Sequence, residues 1–148
     1  MPLWFGYGSL LSAQGINEHK FDEHYEESDL KEAVLHGYKR EWNAREGDDR
    51  YLGLVKKQSS STNGVIFNVK PKHTDAFKIS EGVPKLYTVV EVGSEIVPRQ
   101  NEKVFTLVTK HPSSEGEIHE GYSQQVGDAL MFRSDKFQKE FHRETRLK

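Results

Sequence analysis

The sequence predicts an α+β fold built on a mostly antiparallel sheet or barrel. Two observations point there. Short runs of alternating apolar residues recur up to about residue 110, and a three-to-four-residue apolar period takes over from Ile118 onward. Strands first and helices last is the order of an α+β arrangement. Residues 3–7 are aromatic-rich and run into Gly6-Tyr7-Gly8-Ser9, a short buried strand that ends in a tight turn. Residues 12–27 are polar, with room for a short helix near residues 12–16. Residues 33–44 alternate as a strand with Val34, His36, Tyr38, Arg40 and Trp42 on one face. Residues 51–57 and 65–70 read as two further strands. The Ser59-Ser60-Ser61-Thr62-Asn63-Gly64 run between them reads as a flexible connector ending in an Asn-Gly turn. Pro71 opens a short helix that closes near Ser80-Glu81-Gly82, because glycine is favoured just past a helix end. Residues 86–92 form the strongest strand pattern, with residues 103–110 as its hairpin partner. Ile118, Tyr122, Val126, Ala129 and Leu130, then Phe137 and Phe141, mark two amphipathic helices, with Ser134 capping the second.

A chain of 148 residues, 34% hydrophobic and 30% charged, fits one soluble domain over residues 1–148. Its two tryptophans, six tyrosines and eight phenylalanines must carry much of the core. The absence of cysteine excludes thiol nucleophiles, thiolate zinc sites and iron–sulfur clusters, and fits a reducing compartment. Twenty-one basic residues against 23 acidic ones, with no basic block before the mixed segment 141–148, argue against nucleic acid as a partner. No apolar run approaches the ~18 residues of a membrane span, and Met1-Pro2-Leu3-Trp4-Phe5-Gly6 lacks the features of a signal peptide. The expected location is the cytoplasm, away from membranes. The seven histidines show no metal-ligand spacing, and Glu115, Glu117, His119 and Glu120 read as a solvated acidic turn.

The segment Phe5-Gly6-Tyr7-Gly8-Ser9-Leu10 departs from the known phosphate and nucleophile motifs. Leu11 takes the third glycine position of G-x-G-x-x-G, no Gly-Lys-Ser/Thr follows, and the surroundings of Ser9 do not match G-x-S-x-G. What remains is a strand end whose consecutive backbone N–H groups can cradle a carboxylate or an oxyanion. The plainer alternative is a glycine-rich turn with Tyr7 in the core. Glu81, likewise, is either a functional carboxylate or a solvated residue before a helix-ending glycine. Tyr38, Trp42 and Tyr87 fit core aromatics, and Glu91 is either a second polar group at a site or an outward charge.

Taken together, Phe5-Gly6-Tyr7-Gly8-Ser9-Leu10, the strand–helix–Glu segment 64–92, and Pro112-Ser113 followed by Tyr122 resemble the γ-glutamyl cyclotransferases, a group that includes the ChaC-type proteins. The resemblance covers nearly the whole chain in order and spacing. It implies a mostly antiparallel, partly closed β-barrel with peripheral helices. It also implies a substrate-binding set of Trp4, Phe5, Gly6, Tyr7, Gly8, Ser9, Leu10, Tyr87 and Tyr122, with Glu81 as the catalytic acid/base. The implied partner is a small γ-glutamyl substrate, with no metal or cofactor. Leu10 follows the glutathione-acting type where many members have Asn. The Glu81 region is closer to the type acting on γ-glutamyl-amino acids, and the stretch from Ser113 to Tyr122 is longer than usual. The resemblance therefore does not choose the substrate.

The implied chemistry is physically economical. A γ-glutamyl compound carries its own nucleophile, because its α-amine can close a five-membered ring on the γ-carbonyl and expel the attached amine as 5-oxoproline forms. Intramolecular attack in well-oriented cases is equivalent to an effective molarity of about 10⁵–10⁸ M. The protein then has to fold the substrate, move one proton and meet one oxyanion. A carboxylate suits the proton transfer, and backbone donors are worth about 3–4 kcal/mol each in comparable oxyanion sites. A domain that keeps such a pocket and only binds a small molecule or a partner is the competing class.

Overall fold

The computed structural model describes residues 2–18 and 23–148. Met1 and residues 19–22, part of the polar stretch after the first strand, lie outside the described residues. The strands are β1 (Leu3–Gly6), β2 (Lys31–Glu46), β3 (Asp49–Asn68), β4 (Tyr87–Glu91), β5 (Ile96–Val97), β6 (Val104–Thr109) and β7 (Glu117–Ile118). The helices are α1 (Ala13–Asn17), α2 (Thr74–Glu81), α3 (Glu120–Leu130) and α4 (Asp135–Glu144). The strands form one sheet in the order β4-β6-β1-β3-β2-β5, with β7 alongside β3, and it curls into a half-barrel. The expected antiparallel character holds for most pairs, whereas β1–β6 and β3–β7 run parallel. β1 lies inside the sheet, flanked by β3 and β6, and all four of its residues are buried. Its unbroken apolar sequence is what a strand covered on both faces requires.

The Ser59–Gly64 run is a correction to the sequence reading. It belongs to the single long strand β3, where Ser61, Thr62, Asn63 and Gly64 pair with His36, Leu35, Val34 and Ala33. Local composition is overridden by tertiary pairing. Gly64 supplies close approach in place of a turn: a Cβ there would strike the Gly6 carbonyl and the Phe5 ring. Asn63 is equally committed, since its Nδ2 donates to the Phe137 carbonyl at 3.0 Å and ties α4 to the sheet.

A second correction concerns the faces of β2. The register shifts between His36 and Tyr38, where residues 57–60 of β3 lie opposite Gly37. This bulge changes the alternation, as an extra unpaired residue must. Ala33 and Leu35 are buried before it and Tyr38 and Arg40 after it, so Val34 and His36 do not share the buried phase of Tyr38. Third, Ile118 ends β7 and lies outside α3.

Other elements follow the sequence closely. The Ser12 side chain caps α1 by accepting from Gly15 N–H at 3.0 Å. Ser134 caps α4, accepting from Phe137 N–H at 3.2 Å. β4 and β6 form the expected antiparallel pair, with Tyr87 opposite Thr109. Aromatics dominate the core, as the composition demands. Phe77 of α2 meets Trp4 edge-on at 5.0 Å and Phe67 at 6.0 Å, while Phe67 meets Tyr25 at 5.9 Å. Among the described residues, Phe77 is the one buried residue of α2. No helix among them is long and apolar enough to cross a membrane.

Candidate active site

The turn after β1 is held by its backbone. Thr106 Oγ1 donates to the Phe5 carbonyl at 2.9 Å, the Tyr7 hydroxyl donates to the Leu107 carbonyl at 2.6 Å, and Leu11 N–H closes onto Gly8 O at 3.1 Å. β6 therefore clamps the strand and its exit from one side. A Cβ on Gly8 would collide with the Tyr122 hydroxyl, and one on Gly15 with the Ser9 carbonyl, so both glycines permit tight packing over the turn.

Glu81 reaches the same region from α2. Gly82, with φ 96°, takes the left-handed conformation that ends a helix, donating to Ile79 O at 3.1 Å while Val83 N–H donates to Lys78 O at 3.0 Å. The chain reverses there, and Glu81 is the final helical residue. Tyr87 comes from the start of β4 and donates to the Leu52 carbonyl at 2.7 Å. Tyr122 comes from the first turn of α3, whose cap is His119, with Nδ1 accepting from Tyr122 N–H at 2.9 Å. The rings of Tyr51 and Trp42 pack edge-on against Tyr122 at 5.1 and 5.8 Å.

These elements enclose a small inner cavity of about 30 Å³, lined by Trp4, Phe5, Gly6, Tyr7, Gly8, Ser9, Leu10, Glu81, Tyr87 and Tyr122, which are all ten residues singled out from the sequence. Leu52, Phe77 and Leu107 complete its wall. Ser9, Glu81, Tyr87 and Tyr122 also line an outer cleft of about 500 Å³, together with Tyr51, Ile79, Leu86 and two further carboxylates, Glu18 and Glu46. The inner space has room for a water or two, and the outer cleft for a larger group. Trp4 is buried in this wall, and its indole Nε1 has no hydrogen-bond partner among the described residues. A groove of about 350 Å³ between β2, β3 and α4 contains none of the ten residues. Glu91 is exposed, so of its two readings the outward charge holds.

Burial pushes the pKa of all three site phenols up and so holds them neutral. For Tyr7 it acts first, reinforced by Tyr122 and the Glu81 charge and opposed by Arg40. Tyr87 is raised by burial and then by Tyr7, Tyr122 and Glu81. Tyr122 is raised by burial and Glu81, while hydrogen bonds from Ser9 and the charge of Arg40 pull the other way. All three are neutral donors at ordinary pH. The consequence for stability has a definite sign. Above pH ~10 the unfolded chain loses phenolic protons that the native state keeps, so each raised tyrosine makes stability fall as pH rises. Tyr87→Phe removes the bond to Leu52 O and is expected to cost about 1 kcal/mol at pH 7. That deficit should shrink or reverse by pH 11, because the variant has one fewer proton to lose; thermal unfolding at the two pH values checks it.

One polar residue behind the turn was missed by sequence reasoning. Arg40 is 2% exposed and donates from Nη1 to the Tyr7 carbonyl at 3.3 Å. Its signal was a charge on the strand face that also carries Tyr38 and Trp42. Among the described residues, no group of three or more His, Asp or Glu side chains is arranged to hold a metal ion. The acidic segment before α3 is instead tied down by pairs, Glu115 with Arg45 and Glu117 with Lys148.

Chemically, the site offers a carboxylate beside an amide-lined turn, within reach of three neutral phenols, with one narrow and one wide compartment. Solved structures provide the comparison. The chain superposes on YkqA from Bacillus subtilis with a TM-score of 0.71 at 20% identity, covering 95% of this chain and 52% of that one. It thus spans about half the length of the Bacillus protein. It matches a γ-glutamyl cyclotransferase with a TM-score of 0.70 at 14% identity, covering 97% and 87% of the two chains. A yeast γ-glutamyl cyclotransferase specific to glutathione matches with a TM-score of 0.56 at 14% identity, covering 97% and 96%. No protein-family model and no curated protein sequence matches the chain. At these identities the likeness establishes the fold: the half-barrel is that of the γ-glutamyl cyclotransferases.

Proposed function

We propose that this chain is a cofactor-free γ-glutamyl cyclotransferase, converting a γ-glutamyl-amino acid, a γ-glutamylamine or glutathione to 5-oxoproline and releasing the attached amine. The observation that carries the reading is the meeting of Glu81 and the turn of residues 7–10 on one cavity. Proteins named as γ-glutamyl cyclotransferases share its fold, which supports the same reading.

In this account the glutamyl end of the substrate enters the inner compartment and the departing amine lies in the outer cleft. The inner cavity is smaller than a glutamyl group, so binding displaces the Tyr122 hydroxyl from its place over Gly8 and Ser9. The Ser9 N–H that this frees, with the adjacent Gly8 N–H, then meets the oxygen that develops negative charge. Glu81 removes a proton from the substrate's ammonium. The amine attacks the γ-carbonyl, forming the ring C–N bond, and the tetrahedral centre collapses by breaking the original amide C–N bond. Glu81 returns that proton to the leaving nitrogen, and the second proton, which the ring nitrogen sheds as it becomes the lactam N–H, passes to the released amine, which departs as an ammonium, so protons and electrons balance. Tyr7 and Tyr87 spend their hydroxyl protons on the carbonyls of Leu107 and Leu52, which assigns them to holding the walls.

The test is release of 5-oxoproline from γ-glutamyl-alanine, γ-glutamyl-lysine and glutathione by the purified chain. Turnover of at least one is the expected result. If none is turned over while a γ-glutamyl ligand still raises the melting temperature, the chain is a binding domain on this fold and the enzymatic reading is wrong.

A further inference from the structure

Arg40 is a buried guanidinium whose position has a consequence for the amide turn. Nε donates to Thr145 Oγ1 at 2.9 Å, Nη2 to Asn63 Oδ1 at 2.9 Å, and Nη1 to both the Asn63 carbonyl at 2.7 Å and the Tyr7 carbonyl at 3.3 Å. Its carbon lies 3.9 Å above the centre of the Phe141 ring. Among the described residues no carboxylate forms an ion pair with it. A buried charge without a paired counter-ion is costly. A structural clasp alone could be made from neutral groups, so the charge itself calls for a role.

The Tyr7 carbonyl and the Gly8 N–H belong to one planar trans peptide unit and point in opposite directions. A cation bound to the oxygen draws electron density toward it and leaves the N–H a stronger donor, as hydrogen bonds in a chain polarise one another. Gly8 lines the inner cavity. The influence of Arg40 also extends past the peptide, since its charge acts on the phenols of both Tyr7 and Tyr122.

We propose that Arg40 is a positioning residue for the cyclisation: from behind the turn it polarises the Tyr7–Gly8 peptide, so that Gly8 N–H and the positive field favour the anionic groups of the bound substrate and the oxyanion of its transition state. This rests on the γ-glutamyl reading for the identity of the ligand, but the polarised peptide is a property of the free protein. Burial pulls the guanidinium down to about 9, which leaves it protonated at neutral pH, with Glu144 acting in the opposite direction. Thr145 is the clasp's other end, holding the residue after α4 against β2.

Three variants separate the roles. Arg40→Met removes the charge and the donors, Arg40→Lys keeps the charge with a different donor geometry, and Thr145→Val loosens the clasp while leaving Arg40 in place. The readouts are the Gly8 amide proton shift by NMR, the melting temperature, 5-oxoproline binding by calorimetry, and kcat and KM for 5-oxoproline release. For Arg40→Met the Gly8 amide proton is expected to move upfield, 5-oxoproline to bind more weakly, and kcat to fall on the order of tenfold, a weakening short of losing an oxyanion donor altogether. Arg40→Lys should recover part of kcat and part of the shift. Thr145→Val should lower the melting temperature and leave kcat and the Gly8 shift as they are. If Arg40→Met fails to fold, Arg40→Lys carries the test, with a smaller change of the same sign. Folded Arg40 variants with unchanged Gly8 shift, 5-oxoproline affinity and kcat would overturn the proposal and leave Arg40 as a clasp. A wild-type chain that turns over no γ-glutamyl compound would remove the catalytic reading alone, and the Gly8 shift and 5-oxoproline affinity would still decide whether Arg40 polarises the turn.

Discussion

Replacing Glu81 by Gln is expected to reduce 5-oxoproline release by about 10²–10⁴, the range that general acid–base groups supply. The substitution keeps the shape and removes the charge together with the ability to take a proton and return it. Glu81 ends α2 in a turn closed by backbone hydrogen bonds among Lys78, Ile79, Gly82 and Val83. Half-exposed and nearly isosteric, the change should move the melting temperature by no more than about 2 °C. Substrate binding should survive, because the amide turn is untouched. The expected pattern is therefore a loss in kcat with little change in KM or stability. A Gln variant that retains most of wild-type turnover would remove Glu81 from the chemistry.

Phe77→Ala should produce the largest loss of stability and strike the site as well. Phe77 is buried against Trp4 and Phe67, and no other α2 residue among those described is buried. Truncating a buried phenylalanine costs about 3–5 kcal/mol through lost transfer energy and the cavity left behind. For a chain of this size that is a drop in melting temperature of about 6–20 °C. Phe77 also lines the inner cavity, and it fixes the helix whose last residue is Glu81. Turnover should fall below wild type even at temperatures where the variant is folded, because α2 loses its anchor against β1. Phe77→Leu, which refills much of the volume, should restore most of both properties. Equal losses in the Ala and Leu variants would mean that the aromatic contacts to Trp4, and not the anchoring volume, hold the helix.

The sequence disclosed those elements whose local chemistry and tertiary role agree. The aromatic strand at the N-terminus, the helix closed by Gly82, the β4–β6 pair and the Ser134 cap all follow from local rules, and the structure honours them. The Ser59–Gly64 stretch misled because serine, asparagine and glycine carry turn signals on their own. In the fold their small size serves close packing, with Gly64 against Gly6 and Phe5, and Asn63 joining Arg40 to α4. The bulge opposite Gly37 was invisible for a different reason: periodicity assumes a constant register, and residues 57–60 break it. Ten of the thirteen residues that line the inner cavity were named through family resemblance, since Tyr-Gly-Ser and Glu-Gly have little meaning apart. Arg40 escaped because a lone arginine in a strand ordinarily signals solvent; only its neighbours Tyr38 and Trp42 hinted otherwise, and its partners Tyr7, Asn63 and Thr145 come from three distant parts of the chain.

The proposed function places the binding and cyclisation of a γ-glutamyl group in the cavity between the β1 turn and the end of α2. A crystal structure of the chain soaked with 5-oxoproline, the product itself, tests it most directly. The product should occupy the inner compartment, with an oxygen on the Gly8 and Ser9 amides, the Glu81 carboxylate facing the lactam nitrogen, and the Tyr122 ring turned outward. Product bound in another groove, or an inner cavity that stays closed under Tyr122 at saturating 5-oxoproline, would contradict it.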